Sequence, residues 1–410
     1  MEVVVTGIGP LLPNCETRET LWRQLAAGAS QLEFEAAPDG ERWAVGRVHA
    51  FDPDRWLGRF PTSYTQRYHR DQLMYLASLV IALEDARLEL SAATPSRVGL
   101  YDGTSRGNFD FWYERVREEM HTAPKDLYTR RELTTGTPGQ AVHLAAGLLG
   151  IRGPAYTFNV TCCSGAVAIG QAYKDLLHGE VDVAFATGHD ASLNTPLYHM
   201  YRDTGLISRE SDDAHRAVRP FGEHSRNAFG EGAITLVLET RAHAESRGAV
   251  PLASIGGYKL GNNGGHPLHV DRDGGRVTEL LDELLAQAAV AREDIGFVVG
   301  HGNAVAQSDR SEVEYMHRVF ASRAREVPLL SMKPVYGHLL GGSSALNVAA
   351  AVLMLHHRWL APTANVDATK ADPRVDHLAD GGRACDATAG LAVSYGLGGA
   401  NAVTLVRRAA

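Results

Sequence analysis

The stretch Ala155-Tyr156-Thr157-Phe158-Asn159-Val160-Thr161-Cys162-Cys163-Ser164-Gly165-Ala166 decides the fold. A short β-like run ends there among small residues, and a helix-like stretch follows from Ala166 to Leu177, with Gly179 as a stop signal. A thiol at such a junction lies at a helix N-terminus, where unpaired N–H groups and the helix dipole favour negative charge. We therefore expect Cys163 to be a nucleophile with a lowered pKa, and Cys162 to be a small buried hydrophobe.

The composition is that of a soluble globular protein. The chain has 410 residues, of which 44% are hydrophobic and 21% are charged, and it is long enough for one large two-lobed unit or two to three ordinary domains. A formal net charge of -8 argues against nucleic acid as the main ligand. No apolar stretch reaches the ~20 residues of a membrane span, and the first residues contain no signal-peptide core. We expect a cytoplasmic protein that binds neither nucleic acid nor a membrane.

Strand-like and helix-like segments alternate along the whole chain, which predicts a layered α/β architecture. The softest boundary lies near Arg247-Gly248-Ala249-Val250-Pro251, so we divide the chain into residues 1–250 and 251–410. The predicted strands are Glu2–Gly7, Arg97–Tyr101, Val181–Ala186, Ala233–Glu239, Ile295–Gly300 and Ala392–Tyr395. The predicted helices are Thr20–Ala27, Asp71–Leu90, Val277–Ala291, Ser311–Ala321 and Ser343–His356.

Three further motifs combine polar side chains with glycines that allow close approach. They are Gly300-His301-Gly302-Asn303, Lys333-Pro334-Val335-Tyr336-Gly337-His338 and Ser394-Tyr395-Gly396-Leu397-Gly398-Gly399-Ala400-Asn401. Each motif alone is weak, because a single His beside Gly is more often structural than catalytic.

Two other interpretations of the motifs are discounted. The segment Thr6-Gly7-Ile8-Gly9 suggests a dinucleotide site, but Leu12 stands in place of the third glycine. His301, Asp309 and Glu312 match no common spacing of metal ligands, so we expect no metal site.

Taken together and in this order, the four motifs resemble those of the β-ketoacyl synthases of the thiolase-like superfamily. The resemblance is strongest to the elongating condensing enzymes of type II fatty-acid and polyketide synthesis, and it covers nearly the whole chain. It also includes Gly153-Pro154, Arg219-Pro220-Phe221 and Gly230-Glu231-Gly232-Ala233, and it places Asp309 and Glu312 at the family's offsets from His301.

The resemblance implies a fold of two similar halves in five layers, αβαβα, with the nucleophile and the dimer interface in the first half. It implies that Cys163 takes an acyl chain from an acyl carrier protein, and that His301 and His338 stabilise the enolate of a decarboxylating malonyl group. Lys333 would order the histidines. The oxyanion hole would use the N–H groups of Cys163 and Leu397.

The same resemblance assigns substrate contacts and cofactor use. Asn303, Val305, Gly398 and Gly399 would contact the substrate. No cofactor is implied beyond the 4'-phosphopantetheine arm of the carrier protein.

Four features depart from the family pattern. Asn303 and Val305 replace threonines that contact the pantetheine arm, Asn347 replaces a glutamate paired with the lysine, and Leu397 replaces a gate phenylalanine. The spacing between Phe221 and Gly230 is also altered. These departures predict a specialised synthase of secondary metabolism in which Lys333 is held less firmly.

The partners and two rival functions follow from the same resemblance. Because carrier proteins are acidic, a basic rim is expected, with Arg67, Arg70, Arg202 and Arg209 as candidates. A dimer is expected, with an identical or a second ketosynthase-like chain. The rivals are an acyltransferase that forms a C–O or C–N bond, and a subunit without activity that shapes the tunnel of an active partner.

Overall fold

The computed structural model describes residues 1–36, 40–49, 51–124, 128–266 and 270–409. Its strands are β1 (Val3–Leu11), β2 (Glu33–Ala36), β3 (Arg42–Gly46), β4 (Val98–Thr104), β5 (Ala155–Phe158), β6 (Val183–Asp190), β7 (Phe229–Gly230), β8 (Gly232–Thr240), β9 (Ala253–Asn262), β10 (Ile295–Val299), β11 (Leu329–Leu330), β12 (Trp359–Leu360), β13 (Arg383–Ala384), β14 (Ala389–Gly396) and β15 (Ala400–Arg408).

The α-helices are α1 (Arg18–Ala27), α2 (Pro53–Leu57), α3 (Thr62–Thr65), α4 (Arg70–Asp85), α5 (Phe109–Glu119), α6 (Arg130–Thr135), α7 (Gln140–Leu149), α8 (Ser164–Leu177), α9 (Thr195–Asp203), α10 (Arg241–Ser246), α11 (Gly275–Ala288), α12 (Ala306–Phe320), α13 (Lys333–Tyr336) and α14 (Gly342–His357). Each predicted strand and helix overlaps one of these elements. The predicted helix Asp71–Leu90 ends early, at Asp85, and Arg87 has a left-handed φ of 47°.

The main sheet has ten strands in the order β11-β10-β14-β15-β9-β1-β8-β6-β4-β5. Numbering the strands of each half in chain order gives the same order, 3-2-4-5-1, on both sides of the centre. The halves meet where β1 pairs antiparallel with β9, for example Val3 with Ile255. The predicted pair of similar halves is therefore confirmed, and the division at residue 250 lies between α10 and β9.

Helices cover the sheet in layers. The two apolar helices α8 and α14 pack against each other, and each contacts strands of both halves, so they form the central layer. Helix α4 covers β1 and β8 on one outer face, and α11 covers β9 and β15 on the other. A Cβ atom at Gly165 would lie 2.9 Å from Ala345 Cβ, which shows how closely the central helices cross. This is the predicted αβαβα arrangement.

The glycines of β1 serve this packing. A Cβ atom at Gly9 would lie 2.2 Å from the carbonyl oxygen of Ser78, and one at Gly7 would lie 2.7 Å from Ala86. The segment that resembled a dinucleotide motif is therefore the contact surface for α4. Among the described residues, no helix is long and apolar enough to cross a bilayer.

Candidate active site

A cavity of about 320 Å³ opens where the β5–α8 junction meets the ends of β10 and β14. The sequence-predicted residues that line it are His301, Asn303, Val305, His338, Leu397 and Gly399. Other lining residues are Cys162, Tyr201, Thr204, Gly205, Leu206, Asn227, Asn263, Val270, Gln307, Ser308, Tyr395, Gly396, Ala400 and Asn401. Gly398 lies in the adjacent turn, where its carbonyl oxygen accepts a hydrogen bond from Asn262 Nδ2 at 2.8 Å.

The two adjacent cysteines point in different directions. Cys162 lines the cavity together with His301, His338 and Leu397. The sulfur of Cys163 instead lies 3.3 Å from the carbonyl oxygen of Ser394 and packs in a closed apolar cluster with Val167 and Tyr258. The geometry therefore corrects the prediction that Cys163 faces the substrate.

The oxyanion-hole prediction is corrected at the same residue. The N–H of Cys163 is already donated to the carbonyl oxygen of Val160 at 3.0 Å, so it is not available to a substrate. Leu397 lines the cavity beside Cys162, and its part in an oxyanion hole stays a prediction.

The helix pattern contains the signal that separates the two cysteines. Cys163, Ala166, Val167 and Gly170 follow the i, i+3, i+4, i+7 spacing of one buried face of α8. That face meets Tyr258, whose ring would lie 2.2 Å from a Cβ atom at position 170. Cys163 therefore belongs to the core stripe of the helix, and Cys162, one residue earlier, lies outside it.

Burial dominates the acidity of both thiols. It raises the pKa of Cys162 to about 11, although the charge of Lys333 and then that of Arg106 act in the opposite direction. Burial also raises the pKa of Cys163, far above its ordinary value. This direction is opposite to the lowering expected for a thiol at a helix N-terminus, because burial disfavours the charged thiolate.

Hydrogen bonds fix the tautomer of His301. Its Nδ1 accepts from the backbone N–H of Tyr395 at 3.3 Å and lies 3.5 Å from Lys333 Nζ. Burial, followed by the charge of Lys333, holds the pKa of His301 well below its usual range. The ring is therefore neutral near pH 7, with its hydrogen on Nε2.

His338, which lies between α13 and α14, has the same neutral tautomer as His301. Its Nδ1 accepts from the backbone N–H of Leu340 at 3.1 Å and lies 2.6 Å from the Ser343 hydroxyl. Burial lowers the pKa of His338 well below its usual range. The ring centroids of His301 and His338 lie 5.5 Å apart, and the ring planes are inclined at 84°. Both residues line the cavity, so their two Nε2–H groups are hydrogen-bond donors in the same site.

Lys333 and Glu312 hold the backbone of the His301 loop. Lys333 Nζ donates to the carbonyl oxygen of His301, and burial lowers the pKa of Lys333 to about 8. Glu312 accepts the N–H groups of His301 at 2.7 Å and Gly302 at 2.5 Å. Asp309 accepts the N–H of Phe221 at 2.7 Å. The two acids that suggested metal ligands therefore bind backbone N–H groups.

Asn347 does not replace the predicted glutamate as a partner of Lys333. Its Nδ2 donates to the carbonyl oxygens of Gly300 at 2.9 Å and Val393 at 3.1 Å, and lies 3.3 Å from the Ser394 hydroxyl. It therefore ties the ends of β10 and β14 together. The predicted loosening of Lys333 does not follow, since Lys333 binds His301 directly.

Asn303 is locked in one orientation. Its Oδ1 accepts from the N–H of Val305 at 3.1 Å and from the Ser308 hydroxyl. Because both hydrogen bonds are accepted by the amide oxygen, the amide N–H groups of Asn303 are available to a ligand in the cavity that Asn303 lines.

The rim candidates differ in their surroundings. Arg70 Nη2 donates to the buried carboxylate of Glu231 at 2.8 Å and to the carbonyl oxygen of Val48. The positive charge of Arg70 is therefore paired with a carboxylate within the fold. Arg202 is paired with Glu41. Arg67 and Arg209 are exposed.

Comparison with known proteins agrees with the geometry. Residues 1–244 match the model of the β-ketoacyl synthase N-terminal domain, and residues 252–367 match that of the C-terminal domain. The chain is 29% identical over 418 residues to the tetracenomycin polyketide synthase ketoacyl synthase alpha subunit of Streptomyces glaucescens, covering 99% of this chain and 97% of that protein.

Two further proteins extend the comparison. The 3-oxoacyl-[acyl-carrier-protein] synthase 2 of Vibrio cholerae is 28% identical over 420 residues, covering 99% of both chains. The structure of the ishigamide ketosynthase/chain length factor matches with a TM-score of 0.90 at 25% identity, covering 100% of this chain and 99% of that chain. With both domain models matched along most of its length, the chain belongs to the β-ketoacyl synthase family of condensing acyltransferases.

Proposed function

We propose that this β-ketoacyl synthase accepts an acyl chain from an acyl carrier protein as a thioester on Cys162, and condenses it with a malonyl group held by a carrier protein. One observation carries the assignment: Cys162 shares a cavity with the Nε2–H donors of His301 and His338. The curated relatives support it, since one is named for polyketide synthesis and another for an acyl-carrier-protein substrate.

The acyl transfer follows from the surroundings of Cys162. Its sulfur attacks the carbonyl carbon of the incoming thioester, a new S–C bond forms and the S–C bond to the carrier breaks. The proton of Cys162 passes to the carrier thiol. Leu397 lines the same cavity as this sulfur, and its N–H is the proposed donor to the negative oxygen of the tetrahedral intermediate.

The condensation then uses the two histidines. The malonyl group loses CO2 when its C–C bond breaks, and the electron pair forms a thioester enolate. The Nε2–H groups of His301 and His338 donate to the enolate oxygen, which in a dry pocket is worth several kcal/mol. The enolate carbon attacks the acyl carbonyl, Cys162 leaves as the thiolate, and the product is a β-ketoacyl carrier protein.

The adjacent cysteines provide a direct experiment. Incubation with acyl carrier protein and intact-mass spectrometry should show one acyl adduct on the wild type and none on Cys162→Ala. Cys163→Ala is the matched control, because it removes the neighbouring sulfur from a closed cluster, and it should still be acylated.

An adduct on Cys162→Ala, or its loss only in Cys163→Ala, would show that the nucleophile is wrongly assigned. Release of CO2 from malonyl carrier protein in the presence of the acylated enzyme separates condensation from acyl transfer to oxygen or nitrogen. A subunit without activity would acquire no adduct in either form.

We place the enzyme in type II polyketide-like secondary metabolism in the cytoplasm. Carrier-protein docking is assigned to the rim around Arg209, which is exposed and follows the cavity residue Leu206 by three positions. Arg67, on the link between α3 and α4, remains a second candidate.

A second ketosynthase-like chain is the proposed dimer partner, because the solved relative pairs a ketosynthase with a chain length factor. The surface offered to it includes the sheet edge at β5, where Tyr156 is exposed. It also includes the stripe of Trp112, Val116 and Met120 along and just beyond α5, spaced four residues apart.

A further inference from the structure

One pair of side chains near Cys162 has no part in the chemistry above. Tyr201, near the end of α9, lines the same cavity as Cys162. Its ring packs edge-on against Phe229, with centroids 4.8 Å apart at 79°. The position of its hydroxyl is therefore set by packing and not by a mobile loop.

The hydroxyl of Tyr201 is bound by a guanidinium. Arg106 Nη2 donates to it at 2.6 Å, and Arg106 Cζ lies 5.6 Å from the ring centroid. Within the described ranges, no carboxylate lies within ion-pair distance of Arg106, and its buried Nε has no hydrogen-bond partner.

The carboxylate of Asp190 accepts hydrogen bonds from the backbone of the turn that carries Arg106, and each of its oxygens already has two donors. Its oxygens accept from the Thr104 hydroxyl and from the N–H groups of Ser105, Arg106 and Gly341. The one side-chain partner that the structure gives the Arg106 guanidinium, within the described residues, is therefore the Tyr201 hydroxyl.

The direction of this hydrogen bond determines whether the Tyr201 hydroxyl can still donate its own hydrogen to a ligand. A guanidinium only donates, so the tyrosine oxygen must accept, and its own hydrogen remains for another partner. In the part of the chain that the structure describes, no acceptor takes that hydrogen. A neighbouring cation also polarises the O–H group, which makes it a stronger donor.

Tyr201 lies close to the reacting sulfur, because Tyr201 and Cys162 line the same cavity. The pKa of Tyr201 is raised to about 12 by burial and then by the charge of Cys162, while the charge of Arg106 lowers the pKa of Cys162. A saturated acyl chain on Cys162 would cover the Tyr201 hydroxyl and leave its hydrogen unbonded, which is costly in a buried site. An acyl chain that carries an oxygen near the thioester would instead accept a hydrogen bond from the Tyr201 hydroxyl.

We propose that Tyr201, polarised by Arg106, selects acyl chains that carry a carbonyl or hydroxyl oxygen close to the thioester over saturated chains of equal length. This inference rests on the proposed function, because it concerns the acyl group that Cys162 holds. It makes Tyr201 a specificity-determining residue and Arg106 a positioning residue.

The test compares acetoacetyl and butyryl carrier proteins, which differ in one carbonyl oxygen. Acylation rates of Cys162 are measured by intact mass, in competition and without a malonyl group. The wild type should prefer acetoacetyl, and Tyr201→Phe should reduce that preference about tenfold, as expected for one lost hydrogen bond. Arg106→Lys, which keeps the charge but loses the planar fork, should give an intermediate preference.

Tyr198→Phe is the matched control. It removes a hydroxyl from the same helix, bonded to the carbonyl oxygen of Ala44 at 3.3 Å and outside the cavity lining, so it should leave the preference unchanged. An equal preference in the wild type and Tyr201→Phe would overturn the inference.

Slower malonyl decarboxylation in Tyr201→Phe with an unchanged acyl preference would also overturn it, since the bound oxygen would then belong to the extender. If neither acyl group reached Cys162 of the wild type, the proposed function itself would fall, and this inference with it.

Discussion

Asn347 shows how one side chain can set the position of a catalytic ring without touching it. Its amide joins Gly300, which precedes His301, to Val393 and Ser394, which precede Tyr395. Tyr395 in turn donates its N–H to His301 Nδ1. The amide therefore supports both the backbone that carries His301 and the donor that fixes its tautomer.

Replacing Asn347 by Ala should lower kcat about 10- to 100-fold with little change in KM for malonyl carrier protein, because a small displacement of His301 affects the transition state most. Two buried carbonyl oxygens would also lose their donor, at a cost of about 1–3 kcal/mol in unfolding free energy. Steady-state kinetics and chemical denaturation measure the two effects.

Asn347→Asp is the matched variant, since it keeps the shape but removes the N–H donors, and it should be at least as impaired. Introducing glutamate, the residue of the fatty-acid enzymes, should also impair this protein, because a carboxylate would face two carbonyl oxygens. Wild-type kcat in Asn347→Glu would contradict the positioning role.

Glu312 makes the stability depend on pH. Burial, followed by the charge of Asp309, raises the pKa of Glu312 from 4.5 to about 8. The folded state therefore holds this proton more tightly than the unfolded state, so the stabilisation is complete below pH 4.5 and is lost as the pH rises toward 8. Thermal unfolding of the wild type and Glu312→Gln from pH 4.5 to 8 should show the wild type losing stability relative to the variant.

Lys333 does not obscure that measurement. Its pKa is lowered from 10.5 to about 8, so its own contribution changes in the opposite direction and mainly between pH 8 and 10.5. Parallel pH curves for the wild type and Glu312→Gln below pH 8 would contradict the assignment to Glu312.

At the residue scale, the motifs of the two histidines and the lysine come together in the structure, as their glycines indicated, and the catalytic roles of these residues stay predictions. The motif did not distinguish Cys163 from Cys162, the cysteine that lines the cavity. The helix was predicted from Ala166 and begins two residues earlier, at Ser164. The face that each first-turn residue presents depends on how α8 packs against Tyr258, in a strand about 90 residues later. The role of Asn347 was also not predictable, since its partners come from two other strands.

At the scale of elements, α8 is held by a close contact at Gly170. A Cβ atom there would lie 2.2–2.4 Å from three ring atoms of Tyr258. Gly170→Ala should therefore lower the unfolding free energy by about 1–3 kcal/mol through overpacking, despite the better helix propensity of alanine. It should also disturb acylation, because α8 begins directly after the cysteine pair.

Gly147 in α7 provides the control, since it is exposed and a Cβ atom there would meet nothing within 4 Å. Gly147→Ala should be neutral or stabilising by up to about 1 kcal/mol. Chemical denaturation of both variants checks the pair, and equal effects would argue against the contact at Tyr258.

For the whole molecule, the alternation of strands and helices predicted the layered class, and each predicted element is present. The strand order was not predictable, because it depends on pairings such as β9 with β15, whose residues are more than 130 positions apart. The strand β9 itself was not predicted, because its polar and small residues, including Gly256 and Gly257, give no alternating hydrophobic pattern.

The proposed dimer is tested on the stripe of α5. Val116→Lys with Met120→Lys places two like charges on exposed apolar positions and should shift the protein toward monomer in light scattering after size exclusion. Val250→Lys is the control, as it charges another exposed apolar residue far along the chain. A dimer that persists in the double variant would place the interface elsewhere.

The place of β1 at the centre of the ten-stranded sheet has a consequence for synthesis on the ribosome. The strand emerges long before its partners, which are β8, ending at Thr240, and β9, beginning at Ala253. At about 5–20 residues per second, β1 waits on the order of 12–50 s for β8. During that interval the nascent chain exposes a strand whose residues are all buried in the folded protein, so Val3–Leu11 is a segment for which chaperone protection matters.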